Sequence, residues 1–140
     1  MTDPKGYVYN YGYDKDDRLT LTTDPLEQTT GYTYDAVNRI TTYRDKMGLT
    51  ESYLHDAHGN VLEKTATDGR VTEYTYDIRN RLTSVTDPMG SVAYYTYDVM
   101  DRVTGATGYL GRGTEFTYDR EGNVTSVTDA AGRKEVCTYD

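Results

Sequence analysis

Residues 74–90 of the 140-residue chain decide its fold, and they read YTYDIRNRLTSVTDPMG. Two turn signals, Asp77 to Asn80 and Asp87 to Gly90, enclose a segment whose Thr and apolar residues are typical of a β-strand. Asp first, Pro second and Gly fourth are typical of a type I turn, and Asn or Gly at the last position tolerates a left-handed backbone. Because a type I turn followed by such a residue closes a hairpin, the stretch predicts a strand between two hairpin turns.

The stretch recurs every 21 residues along the chain, and the turn pattern is already present at residues 3–6. Removing both turns leaves about 13 residues, so each repeat is predicted to be one β-hairpin with strands of roughly six residues. An Asp preceded by Tyr, or once by His, marks each repeat, and the signature residues are Tyr13, Asp14, Tyr34, Asp35, Asp56, Tyr76, Asp77, Tyr97, Asp98, Tyr118, Asp119, Tyr139 and Asp140.

The predicted fold is therefore all-β, with tandem 21-residue hairpins that form one antiparallel sheet over residues 1–140. The array contains about six and a half repeats and is partial at both ends, as expected for part of a longer array. Since open sheets of more than about ten strands tend to curl, we expect this sheet to curl. Unpaired strands at both ends predict edge-to-edge association or marginal stability of the isolated array.

Composition narrows the classes of partner. The chain combines a low content of Leu, Ile, Val and Phe with a net charge of −8, a composition that is typical of disorder. Against this, 16 tyrosines supply the large amphipathic surfaces that disordered chains lack. An acidic chain with a pI near 4.7 has the wrong electrostatic sign for binding nucleic acid. The sequence contains no apolar stretch long enough to span a membrane.

The signature Tyr-x-Tyr-Asp, Asn-Arg-Leu-Thr and Thr-Asp-Pro-x-Gly, found in residues 74–90, resembles the RHS or YD repeat. Such repeats occur in bacterial polymorphic toxins, Tc toxin shells, wall-associated proteins and teneurins. The resemblance implies a hollow β-sheet shell that encloses a C-terminal toxin or effector, within a larger bacterial protein that is secreted or held at the cell surface. It also implies that the partners are the neighbouring repeats of a longer chain and the enclosed effector.

The residues indicate no catalytic, metal or cofactor site, so we expect a non-enzymatic protein without cofactors. Cys137 and His55 occupy tyrosine columns of the repeat, and His58 lies in a turn. The family's larger members carry a self-cleaving Asp-Pro-x-Gly motif, but Asp87 to Gly90 stands in the repeat as a turn. Recurring Asp residues are an alternative calcium site, although each is expected to accept backbone hydrogen bonds within its own turn.

Carbohydrate binding by a cell-surface or adhesion module is the alternative function. Because alternate residues of a strand point to opposite faces, the tyrosines form one face and the threonines the other. Tyrosines on such a face can stack on sugar rings, and the candidate glycan-facing residues are Tyr32, Tyr53, Tyr74 and Tyr95. A column of arginines beside the Asp turns is expected to form weak exposed ion pairs, and it contains Arg18, Arg39, Arg81 and Arg102.

Overall fold

The structure is a computed structural model that describes residues 8–139. The turn expected at residues 3–6 and the signature residue Asp140 lie outside the described residues. The described secondary structure consists of thirteen β-strands joined by tight turns, which confirms the predicted all-β hairpin fold. The chain divides into two compact units, Met1–Val71 and Thr72–Asp140. The expected single array over residues 1–140 stays a prediction.

The first unit contains six strands in sequence order, β1 (Asn10–Tyr13), β2 (Leu19–Thr23), β3 (Thr29–Tyr34), β4 (Ile40–Arg44), β5 (Thr50–His55) and β6 (Val61–Thr65). Each strand pairs antiparallel with the next. In β3 and β4, Tyr32 lies opposite Tyr43, and the register then shifts by one residue beside Tyr34. The same bulge recurs once in every repeat of this unit because each repeat carries the same turn at the same distance.

Apart from Val71, the first residue of β7, the second unit contains seven strands, β7 (Val71–Tyr76), β8 (Leu82–Thr86), β9 (Val92–Tyr97), β10 (Val103–Thr107), β11 (Gly113–Tyr118), β12 (Val124–Thr128) and β13 (Lys134–Val136). They also pair antiparallel in sequence order. Tyr74 lies opposite Val85 and Tyr76 opposite Leu82, while Thr75 lies opposite Ser84. Strand lengths of five or six residues in β7–β12 agree with the length expected from the repeat.

The turns all have one design. At the turn after β7, the N–H of Asn80 donates to the carbonyl of Asp77 at 3.0 Å, and the N–H of Asp77 donates to the carbonyl of Arg81 at 3.0 Å. Asn80 has a φ of 61°, the left-handed conformation that the sequence predicted at the end of the turn. The same two backbone bonds close the described turns that begin at Asp14, Asp24, Asp35, Asp45, Asp56, Ala66, Asp77, Asp87, Asp98, Gly108, Asp119 and Asp129.

Each unit has two chemically distinct faces. We call the face that carries Tyr74, Tyr76 and Val85 in β7 and β8, with its equivalents in other repeats, the tyrosine face, and the opposite one the threonine face. On the threonine face the Thr75 hydroxyl bonds to Ser84 at 2.6 Å. Only four described residues are buried, Ser84, Val85, Ala93 and Ser126. The hairpins are therefore held mainly by strand pairing, turns and contacts between neighbouring repeats rather than by a deep core.

Candidate functional site at the joints between repeats

The repeat Asp organises its own turn through both carboxylate oxygens. In Asp77, Oδ1 accepts the N–H groups of Arg79 at 2.8 Å and Arg81 at 3.1 Å, and Oδ2 accepts Nε of Arg81 at 2.7 Å. The hydrogen bond from the Arg81 side chain, aided by the backbone bonds, holds the pKa of Asp77 below its usual value. In the equivalent turn, hydrogen bonds led by the Arg39 N–H lower the pKa of Asp35 to about 2.

The arginine four residues after this Asp reaches into the next repeat. Nη1 of Arg81 donates to the carbonyl of Asp98 and to the carboxylate of Asp101, both at 2.8 Å. Arg18 makes the same contact with the carbonyl of Asp35 at 2.9 Å. The Arg81 side chain is only 22% exposed. The arginine column therefore differs from the expected row of exposed ion pairs, since its guanidinium groups lie between consecutive turns and bond to both.

In three repeats the tyrosine that precedes the repeat Asp covers the arginine of the preceding repeat. The guanidinium carbon of Arg81 lies 4.7 Å from the centroid of the Tyr97 ring, which is cation–π geometry. The hydroxyl of Tyr97 donates to the carbonyl of Leu82 at 2.7 Å. We call this set of contacts the repeat joint, and its members in three repeats are Asp14, Arg18 and Tyr34; Asp77, Arg81 and Tyr97; and Asp98, Arg102 and Tyr118.

The repeat joint gives the Tyr-Asp signature a physical role. The Asp closes a hairpin and orients an arginine. The Tyr packs on the arginine of the preceding hairpin, and its hydroxyl bonds to a backbone carbonyl of that same hairpin. Two repeats carry Asn in place of Arg, and there Asn60 donates to Asp56 at 2.8 Å and Asn123 to Asp119 at 2.9 Å. The shorter side chain therefore keeps the bond to its own turn.

Each column of the joint is visible in the sequence, but the contact between the columns is not. The constant offset of 16 residues from Arg18 to Tyr34 and from Arg81 to Tyr97 was visible in the sequence. An offset alone does not show which strands lie side by side or where the end of a long side chain lies. The contact between arginine and tyrosine could therefore be identified only from the structure.

The histidine and cysteine residues have structural positions in the repeat. His58 is a turn residue whose N–H donates to Asp56 at 2.8 Å. Cys137 is half-buried and forms no disulfide, and its N–H donates to the carbonyl of Thr125 at 2.9 Å. Within residues 8–139, no group of three or more His, Cys, Asp or Glu side chains is arranged to hold a metal ion. Over the same residues, no helix has the length and apolar character needed to cross a membrane.

The four candidate glycan-facing tyrosines, Tyr32, Tyr53, Tyr74 and Tyr95, are half-buried on the tyrosine face. The ring of Tyr32 lies 5.4 Å from that of Tyr43, and the hydroxyl of Tyr53 donates to Glu51 at 2.6 Å. Tyr32 thus contacts a ring on the neighbouring strand, and Tyr53 bonds to a residue two positions earlier in its own strand. A role for the four residues in glycan binding stays a prediction.

Comparisons with known proteins agree with this architecture. The family model described as RHS Repeat matches residues 13–48, 55–92, 79–108 and 102–134. A solved pore structure of the Photorhabdus luminescens Tc holotoxin has a TM-score of 0.73 and 18% identity, covering 94% of this chain and 8% of that one. A crystal structure of TcdB2-TccC3 has a TM-score of 0.65 and 17% identity, and the match covers 91% of this chain and 7% of that one.

No curated protein matches the chain. The chain spans less than a tenth of the length of either solved structure, and at this identity the likeness shows the fold alone. The family model, by contrast, covers most of the sequence, including the Asp, Arg and Tyr columns that form the repeat joints. The chain belongs to the RHS repeat family.

Proposed function

We propose that this chain is a structural segment of an RHS-type shell, part of a larger bacterial protein that is secreted or displayed at the cell surface and encloses a C-terminal toxin or effector. The observation that carries the proposal is the repeat joint. Side chains that could serve an active site, the Asp carboxylates and Arg guanidinium groups, instead connect one hairpin to the next, as Asp77 and Arg81 do. Such a segment acts as a wall and has no catalytic role.

The packing of each unit supports the same proposal. Only four of the described residues are buried, and most of the other side chains are half-buried or exposed. Repeat arrays gain stability from interfaces between neighbouring units rather than from a central core. We infer that further repeats of a longer parent chain are the partners of this segment.

The test uses the full-length polypeptide that contains this segment. Limited proteolysis would follow cleavage of the region C-terminal to the repeats in the parent protein and in the variant that combines Arg81→Ala with Arg102→Ala. Because both changes remove bonds between consecutive hairpins, we expect the opened shell to expose its contents and cleavage to accelerate by about tenfold or more. Arg120→Ala is the matched control, since Arg120 is an exposed turn residue.

The enclosed region should resist protease in the parent protein and in the Arg120→Ala control. Cleavage of that region in the parent protein at the rate measured for the same region expressed alone would contradict enclosure. Unchanged protection in the double variant would contradict the role of the repeat joints in closing the wall.

A further inference from the structure

The turn between β10 and β11 has no carboxylate in the position where equivalent turns carry one. Its first residue is Gly108, whereas equivalent turns begin with Asp24, Asp45, Asp87 and Asp129. The backbone conformation is the same in spite of this difference. The N–H of Gly108 donates to the carbonyl of Arg112 at 2.9 Å, as the N–H of Asp129 donates to the carbonyl of Arg133 at 2.9 Å. Only the first side chain of the turn is therefore different.

The turn that begins at Asp129 shows what this carboxylate binds. Oδ1 of Asp129 accepts the N–H groups of Ala131 at 2.9 Å and of Arg133 at 3.0 Å. Oδ2 accepts Nε of Arg133 at 2.7 Å. Two backbone donors and one guanidinium donor therefore meet at a single carboxylate.

The turn that begins at Gly108 keeps the same donors. The N–H groups of Leu110 and Arg112 correspond to those of Ala131 and Arg133, and Arg112 also carries the guanidinium group. In the part of the chain that the structure describes, neither N–H group has a hydrogen-bond acceptor and the guanidinium group has no ion-pair partner. Apart from chain neighbours, only the carbonyl oxygen of Arg112 lies within 4 Å of where a Cβ of Gly108 would stand, at 3.9 Å. The space that an Asp side chain fills in other turns is therefore open.

A second turn without Asp in first position shows that such donors attract a carboxylate from elsewhere. The turn that begins at Ala66 has Asp68 in third position. Oδ1 of Asp68 accepts the N–H of Arg70 at 3.1 Å, and Oδ2 accepts Nε of Arg70 at 2.7 Å. The corresponding third residue of the Gly108 turn is Leu110, which has no acceptor in its side chain.

We propose that the Gly108 turn binds a carboxylate of another polypeptide, an acidic side chain that takes the place of the Asp found in equivalent turns. Backbone N–H groups that point into one concave space bind anions, and such arrangements capture peptide carboxylates. The guanidinium group of Arg112 makes the interaction charge-assisted, which strengthens each hydrogen bond that it donates to a carboxylate. A carboxylate is the anion that fits, because the same donors bind both oxygens of one carboxylate in the Asp129 turn.

A notch beside the turn has room for the peptide that carries the acidic side chain. Its volume is about 650 Å³, and its lining includes Arg112 together with the small residues Gly113 and Ala130. Asp129 also lines the notch, but its charge is balanced by the bond to Arg133 at 2.7 Å. The net charge of −8 is spread over the whole chain, and exposed charges more than about 10 Å away are largely screened at moderate salt. The unpaired Arg112 therefore dominates the local attraction for an anion.

The experiment is an NMR titration of the isotope-labelled 140-residue chain with a capped pentapeptide, Ala-Ala-Asp-Ala-Ala. We expect the amide resonances of Leu110 and Arg112 to move to saturation. Those of Met89 and Ser91 should stay in place, because both N–H groups already donate to Asp87 at 2.9 Å. The capped peptide Ala-Ala-Asn-Ala-Ala, whose amide is neutral, should bind about tenfold more weakly or worse.

Gly108→Asp supplies the carboxylate from within the chain. This variant should bind the Asp peptide about tenfold more weakly or worse, because its own side chain occupies the donors. Its melting temperature should rise by roughly 5 °C, since the new side chain satisfies two backbone N–H groups as Asp129 does. Gly108→Ala is the matched control, because it adds a methyl group without charge, and its affinity should stay within about twofold of the parent chain.

Several outcomes would overturn the proposal. One is that the Asp peptide does not bind up to its solubility limit, and another is that Gly108→Asp binds it as tightly as the parent chain does. A melting temperature that Gly108→Asp leaves unchanged would show that the donors do not meet at one point. Inorganic phosphate or acetate that binds these donors as tightly as the Asp peptide, at matched ionic strength, would show that an acidic peptide is not the ligand.

Discussion

Removal of a single hydroxyl tests whether the repeat joint stabilises the fold. Tyr97→Phe deletes the hydroxyl that donates to the carbonyl of Leu82 at 2.7 Å. The ring remains, and with it the contact with Arg81, whose guanidinium carbon lies 4.7 Å from the ring centroid. The substitution therefore isolates one hydrogen bond between two neighbouring hairpins.

The expected cost follows from the environment of that bond. A neutral hydrogen bond contributes about 1 kcal/mol net, and Tyr97 is half-buried, so we expect the free energy of unfolding to fall by about 1 kcal/mol. A cooperative unit the size of Thr72–Asp140 has an unfolding entropy of about 2.1 cal/mol/K per residue. The melting temperature should then fall by roughly 7 °C.

Urea unfolding followed by circular dichroism measures this change, and the m-value should be unaffected. Tyr94→Phe is the matched control because it makes the same substitution on the same strand, on the exposed threonine face. Its effect should stay within about 0.5 kcal/mol. Equal losses in the two variants, or no loss in Tyr97→Phe, would refute the role assigned to the hydroxyl.

Three further changes probe other parts of the repeat. Glu27 has a φ of 60°, so Glu27→Gly should stabilise the protein by about 1 kcal/mol and raise the urea midpoint, whereas Gly48→Glu should lower it. His55→Tyr should raise the free energy of unfolding by about 1 kcal/mol in the same urea assay, because the new ring can stack on Arg39 as Tyr34 stacks on Arg18. A loss of stability would contradict this role for the tyrosine that precedes the repeat Asp. Because the folded pKa of Asp35 is about 2, below its ordinary value of 3.8, its stabilisation is present above pH 3.8 and is lost as the pH falls towards 2. Melting temperatures measured from pH 5 to 2 should fall more steeply in the parent chain than in Asp35→Asn, and parallel curves would contradict the shift.

Much of the fold could be predicted from the sequence because its rules are local. A turn such as Asp87 to Gly90 is determined by four consecutive residues, and alternation along a strand separates Tyr74 from Thr75. The 21-residue period then repeats that local result along the chain. Strand lengths, turn positions and the two faces therefore followed without knowledge of any distant contact.

The candidate site was harder to predict because it depends on contacts between repeats. The sequence placed Arg81 beside Asp77, four residues away, but its bonds to the next turn and its position against Tyr97 depend on strand register and twist.

Short-range turn chemistry and a strict 21-residue period leave little choice of fold, so the sequence alone predicts a β-hairpin array of the RHS type. The contacts made by the recurring Asp, Arg and Tyr residues of the repeat are visible only in the folded chain. Long side chains such as Arg81 find their partners only once strands separated by many residues lie side by side, and these contacts join consecutive hairpins.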